Sequence, residues 1–170
     1  INNEINNSII IGYKSGYNSL KFNTNTYIGY QSGYTNESGK NNLFLGYNSG
    51  YNSNNSDNNL FIGYYAGYSF IEGEENLVLS NWNQTSNASG NYNTSVGIFS
   101  GKNSRGNKNI ILGYNSNING NNNIILGNDV STTSNTFTNN IFLGNNIGQY
   151  LISNNNIKLG NEVVELDFNN

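Results

Sequence analysis

The sequence predicts an all-β parallel β-solenoid of about ten coils, each 14–17 residues long, and three observations carry that expectation. A short apolar triplet closed by a small residue recurs along the chain, its spacing is nearly constant, and Asn returns at a fixed phase of the unit. Ile9-Ile10-Ile11 before Gly12, Thr26-Tyr27-Ile28 before Gly29, Leu43-Phe44-Leu45 before Gly46 and Leu60-Phe61-Ile62 before Gly63 open the series. Leu77-Val78-Leu79 before Ser80 and Thr94-Ser95-Val96 before Gly97 are weaker copies, and later units end at Gly113, Gly127, Gly144 and Gly160. The anchors from 12 to 97 step by 17 residues, then by 16, 14, 17 and 16. Such a period holds one turn of β-solenoid and no helix pair. Repeats therefore occupy residues 5–160, and 161–170, where Glu162-Val163-Val164-Glu165-Leu166-Asp167-Phe168 alternates like a strand, reads as a cap or a lead into a following segment.

Within a coil each element has a reason. The aliphatic residue before each anchor, from Ile11 and Ile28 to Leu143 and Leu159, reads as the inward column, joined two residues earlier by Ile9, Leu43, Leu60 and their equivalents. The middle residues Ile10, Tyr27, Phe44, Phe61, Val78, Ile111, Ile125 and Phe142 then face outward as an apolar stripe, and a strand apolar on both faces is ordinarily covered on both. The stripe is thus expected to be the contact between copies in a homo-oligomer. Four residues before the anchors, Asn25, Asn42, Asn59, Asn76, Asn93, Asn109, Asn123, Asn140 and Asn156 predict a hydrogen-bonded amide ladder, with Asn also suited to left-handed corners. Gly39, Gly73, Gly90, Gly106 and Gly120 mark a second bend.

Composition excludes much chemistry. The chain of 170 residues has no Pro, Cys, Met or His, is 10% charged and carries a formal charge of -3. Imidazole bases, thiolate nucleophiles and the usual zinc, copper or iron–sulfur ligands are absent, so no cofactor or metal is expected. There is no basic surface for nucleic acid, no apolar run long enough to insert in a membrane, and no signal-peptide pattern in Ile1-Asn2-Asn3-Glu4. Glu72, Glu74 and Glu75, and Glu162, Glu165 and Asp167, show neither the paired carboxyls of a glycosidase nor a periodic calcium pattern. The chain therefore reads as non-enzymatic.

The candidate ligand contacts are aromatic. Tyr13, Tyr30, Tyr47 and Tyr64 follow the first Gly of each early unit, Tyr17, Tyr34, Tyr51 and Tyr68 follow the second, and the single Trp82 sits in the irregular unit after Ser80. Such columns suit structural stacking, and aromatic faces also suit sugar rings. Scattered Thr such as Thr24, Thr26, Thr132 and Thr133 do not build the regular column an ice-binding face requires. The six Asn-x-Ser/Thr triplets, beginning at Asn6, are no more than this Asn content supplies.

The Gly-terminated triplet, the Asn before it and the small-residue segment after it resemble the repeats of trimeric autotransporter adhesin heads, the YadA-like left-handed β-roll. They are also similar to the Asn- and Gly-rich repeats of phage and giant-virus fibre proteins. The step from Gly113 to Gly127 has the 14 residues of the adhesin repeat, and the 17-residue units place three more in the return loop. The resemblance implies a homotrimer and a left-handed coil. It further implies an extracellular fibre or head segment displayed on a cell or virion surface, but no particular receptor; attachment to a host glycan or surface protein is the expected function, with a glycan-processing tailspike and an ice-binding solenoid as the alternatives.

Overall fold

Each triplet forms a strand because β-branched and aromatic residues suit the extended pleat, and the small residue behind it lets the chain bend away. The computed structural model describes residues 5–20, 22–82, 88–131, 137–147 and 154–162. Ten three-residue strands stack in sequence order into one parallel sheet, from Ile9–Ile11 to Ile157–Leu159. Register never slips within it: Ile9 lies opposite Thr26, Thr26 opposite Leu43, and Leu43 opposite Leu60. It holds even across the 14-residue step, where Ile110 pairs with Ile124, so differences in coil length fall outside the strand. Short parallel pairs elsewhere on the coil join Ile5–Asn6 to Phe22–Asn23, Phe70–Glu72 to Ala88–Ser89, and Gly120–Asn121 to Phe137–Thr138. The protein is a parallel β-solenoid with no helix among the described residues.

The faces of the strand are the reverse of the sequence expectation. Tyr27, Phe44, Phe61, Ile125 and Phe142 are fully buried, Val78 and Ile111 nearly so, and Ile10 packs partly buried against the same core. These residues, assigned above to a subunit contact, line the lumen instead. The flanking columns point to solvent, with Ile11 58% exposed and Leu45, Leu79, Leu112 and Leu126 between 36% and 39%. The width of the lumen explains the reversal. A Cβ on Gly50 would lie 2.4 Å from the ring of Phe44, and one on Gly67 2.4 Å from the ring of Phe61. In the later coils Ile118, Val130 and Ile147 share the lumen with Ile111, Ile125 and Phe142, but in these early coils the strand's middle side chain fills it and needs a residue without a side chain opposite. Serines complete that wall: Ser32 and Ser49 donate through Oγ to the carbonyls of Phe44 and Phe61, both at 2.9 Å.

Asparagine closes one corner of the coil. Asn42 Nδ2 donates to Asn25 Oδ1 at 3.2 Å, and the same bond recurs from Asn59 to Asn42 and from Asn76 to Asn59. It continues through Asn93, Asn109, Asn123 and Asn140 to Asn156. Each Oδ1 also accepts the backbone N–H of the next rung, as from Asn59 N to Asn42 at 2.9 Å. The second amide hydrogen reaches a backbone carbonyl one coil ahead, as from Asn42 Nδ2 to Ser56 O at 2.6 Å. All of these side chains but the half-buried Asn93 and Asn156 are buried, and the bonds satisfy them, as buried amides require. The left-handed corner lies one residue earlier, at Asn41, Asn58, Asn122, Asn139 and Asn155, with φ between 56° and 63°. The ladder and the corner are therefore separate uses of Asn.

The core divides in two. Tyr27, Phe44, Phe61, Ala66, Phe70 and Val78 form one cluster. A second runs from Ile111 and Ile118 to Phe142 and Ile147. Ser95 takes the inward position between them, and a cavity of about 40 Å³ opens there, lined by Phe70, Val78, Ser95 and Ile111 among others. The sheet crosses this gap unbroken, since Ser95 pairs with both Val78 and Ile111. The unit around Ser80 likewise keeps register, Leu79 pairing with Ile62 and Val96. Of the expected cap, only Asn161 and Glu162 lie within the described residues; they hold the last coil through bonds to Asn145.

Replacing Asn59 with Ala leaves the backbone N–H of Asn76 and the carbonyl of Gly73 without their amide partner. The expected cost is about 2–3 kcal/mol, read as a lower midpoint in urea unfolding.

Candidate functional site: the tyrosine columns

The segment after each early strand carries its tyrosines outward because the Ser and Gly between them face the lumen. Ser49 and Gly50 are buried while Tyr47 is exposed and Tyr51 is half-buried. The coil-to-coil repeat then sets each ring on its equivalent. Tyr13, Tyr30, Tyr47 and Tyr64 form one column with centroid separations of 5.3, 4.9 and 5.1 Å. Tyr17, Tyr34, Tyr51 and Tyr68 form another at 5.4, 4.8 and 5.0 Å, with interplanar angles of 8°, 2° and 18°. Backbone bonds lock the spacing: Gln31 N donates to Tyr13 O and Asn48 N to Tyr30 O, both at 2.8 Å.

Two residues not singled out in the sequence join the columns at their ends. Lys14 places Nζ 5.5 Å from the Tyr13 ring centre and 5.3 Å from that of Tyr17. Tyr65 packs edge-on against Tyr64 and Tyr68 at 4.5 and 4.9 Å. Both occupy the left-handed corner two residues after the anchor, with φ of 51° and 57°, which turns their side chains between the columns. Trp82 sits at the same corner of the next coil with φ 68° and covers Tyr64 and Tyr65 at 5.1 and 5.9 Å. The shared phase of 14, 65 and 82 relative to their anchors was the available signal. In the next coil Asn81 takes the place of the column tyrosine, and its Oδ1 accepts the backbone N–H of Tyr64.

Stacking fixes what these rings can offer. Faces within a column are covered by their neighbours, so solvent meets edges and hydroxyls, and a sugar ring can lie flat only against an end. The Tyr47 phenol is held above its ordinary value by partial desolvation, then by Tyr65 and Tyr30. Tyr51 is raised by desolvation and by Tyr34 and Tyr68, and Tyr64 by desolvation and Tyr65. Elsewhere the polar surface is plain. Glu72, Glu74 and Glu75 are exposed, Asp57 pairs with Lys40 at 3.7 Å, and no three acidic side chains converge on a metal position among the described residues. Glu165 and Asp167 lie outside the described residues.

No protein-family model matches the chain, and neither does any curated protein or solved structure.

Because folded Tyr47, Tyr51 and Tyr64 hold their phenolic protons more tightly than the unfolded chain does, their contribution is complete below about pH 10. It is lost as pH rises through the raised values. An absorbance titration is expected to show part of the phenolate appearing later than in free tyrosine, a part that shrinks in Tyr47→Phe and Tyr64→Phe, with β-type circular dichroism weakening as it ionises.

Proposed function

We propose that this chain is a non-enzymatic structural and adhesive segment of a trimeric appendage on a cell or virion surface, built as a left-handed β-roll of the YadA-like kind. The exposed face of the ten-stranded sheet is the observation that carries the reading. Its two outward columns hold Ile, Leu or Val at 18 of 20 positions, with Thr only at 26 and 94. At the usual strand spacing this face is on the order of 45 Å long and several hundred Å² in area, larger than a monomer ordinarily leaves wet. Three copies packing these faces around a common axis would bury it and leave the rest of each coil outward for attachment. Repetition along the rod would convert weak contacts with a host glycan or surface protein into avidity. The nearly Thr-free face also favours protein contact over ordered water, which weighs against ice binding.

Light scattering should return three times the 18.7 kDa chain mass. Placing Lys at Leu45 and Leu79 is expected to dissociate the assembly while β-type circular dichroism persists. A wild-type monomer would refute the trimer.

A further inference from the structure

We propose that the two tyrosine columns are a site of oxidative modification, in which tyrosines of adjacent coils are joined through their ortho carbons, stapling the solenoid covalently along its axis. Four observations converge on it. The Tyr–Tyr pairs within the columns sit 4.8–5.4 Å apart with interplanar angles of 2–20°, so every ring has a like ring against it. Tyr13 and Tyr17 are each 61% exposed, and Tyr30, Tyr47 and Tyr64 about 40%, within reach of a dissolved oxidant. The chain contains no Cys, Met or His, so phenols and one indole are the only side chains that give up an electron readily. That indole, Trp82, lies against Tyr64 and Tyr65, so a radical formed on it is passed to the columns.

In the reaction each phenol loses one electron and its hydroxyl proton. Two neighbouring phenoxyl radicals form one carbon–carbon bond between ortho positions. The two ortho hydrogens then leave as protons while both oxygens are reprotonated, restoring the phenols. The net loss is two electrons and two protons per link, which reduces one hydrogen peroxide to two waters in the presence of a peroxidase. Backbone bonds between coils hold the partner in place before the radical forms, so coupling occurs within the chain. Each link closes a loop of 17 residues and, like any cross-link, restricts the unfolded chain.

The test oxidises dilute full-length protein with peroxidase and hydrogen peroxide, then denatures and digests it with trypsin. Cleavage leaves Tyr13 in 1–14, Tyr17 in 15–21, Tyr30 and Tyr34 in 22–40, and Tyr47, Tyr51, Tyr64, Tyr65, Tyr68 and Tyr92 in 41–102, and tandem mass spectrometry of the joined peptides assigns each link to its residues. The expected products are 1–14 joined to 22–40, 15–21 joined to 22–40, and 22–40 joined to 41–102, each lighter by two hydrogens per link. Dityrosine fluorescence and an unchanged chain mass on a denaturing gel accompany them, and the urea midpoint rises. Tyr92 and Tyr114 are internal controls, about half exposed and without a stacked tyrosine among the described residues. Tyr47→Phe, which keeps the stack, should abolish the Tyr30–Tyr47 link and spare Tyr34–Tyr51. Three results would overturn the proposal: no dityrosine where free tyrosine couples, links at Tyr92 and Tyr114 as frequent as in the columns, or products that join chains to one another.

Discussion

The narrow lumen governs this molecule. One side chain enters it from each strand, bulky in most coils, and a three-residue strand has a single middle position and two flanks. Once Tyr27, Phe44 or Phe61 takes that place, the flanking aliphatics must face outward and the opposite wall must be small. The Gly and Ser between paired tyrosines, the outward throw of those tyrosines and the apolar sheet face all follow from this one limit on volume. Where the limit is not used, at Ser95, the core divides and a cavity opens.

Coil stacking turns this local rule into columns. Parallel pairing without slippage places each residue on its equivalent, so any side chain used once per coil becomes a ladder. Asn gains most, because its amide has a donor and an acceptor to spend on opposite neighbours, and Tyr gains a face-to-face contact. Gly is favoured at the anchor for the same reason, Ser80 being the single exception in the series. At Gly46, with φ of +136°, a Cβ would lie 2.3 Å from the carbonyl oxygen of Gly63. Close backbone approach between coils and a rigid register are therefore one property.

Much of this was legible from the residues. The period, the strands, the anchor column and the phase of Asn25 to Asn156 are linear features of the sequence. The direction of each strand face was not, because Ile-Ile-Ile or Leu-Phe-Leu is apolar at every position and alternation cannot choose between its two phases. Size was the informative property: aromatic residues sit only in the middle of the triplet, and a Gly recurs six residues after them. The roles of Lys14 and Tyr65 were hidden differently, since a left-handed corner redirects a side chain without leaving a hydrophobic pattern. The left-handed backbone expected of the ladder Asn belongs to the residue before it, a distinction that only dihedral angles reveal.

The amide ladder also has a sense. In its amide-to-amide bonds every rung donates to the coil before it and accepts from the coil after it. Turning a coil over would set carbonyl against carbonyl, or amine against amine, in a largely buried site. The rod is consequently a polar object, with chemically unlike ends. Each finished coil is a template that accepts the next in one orientation.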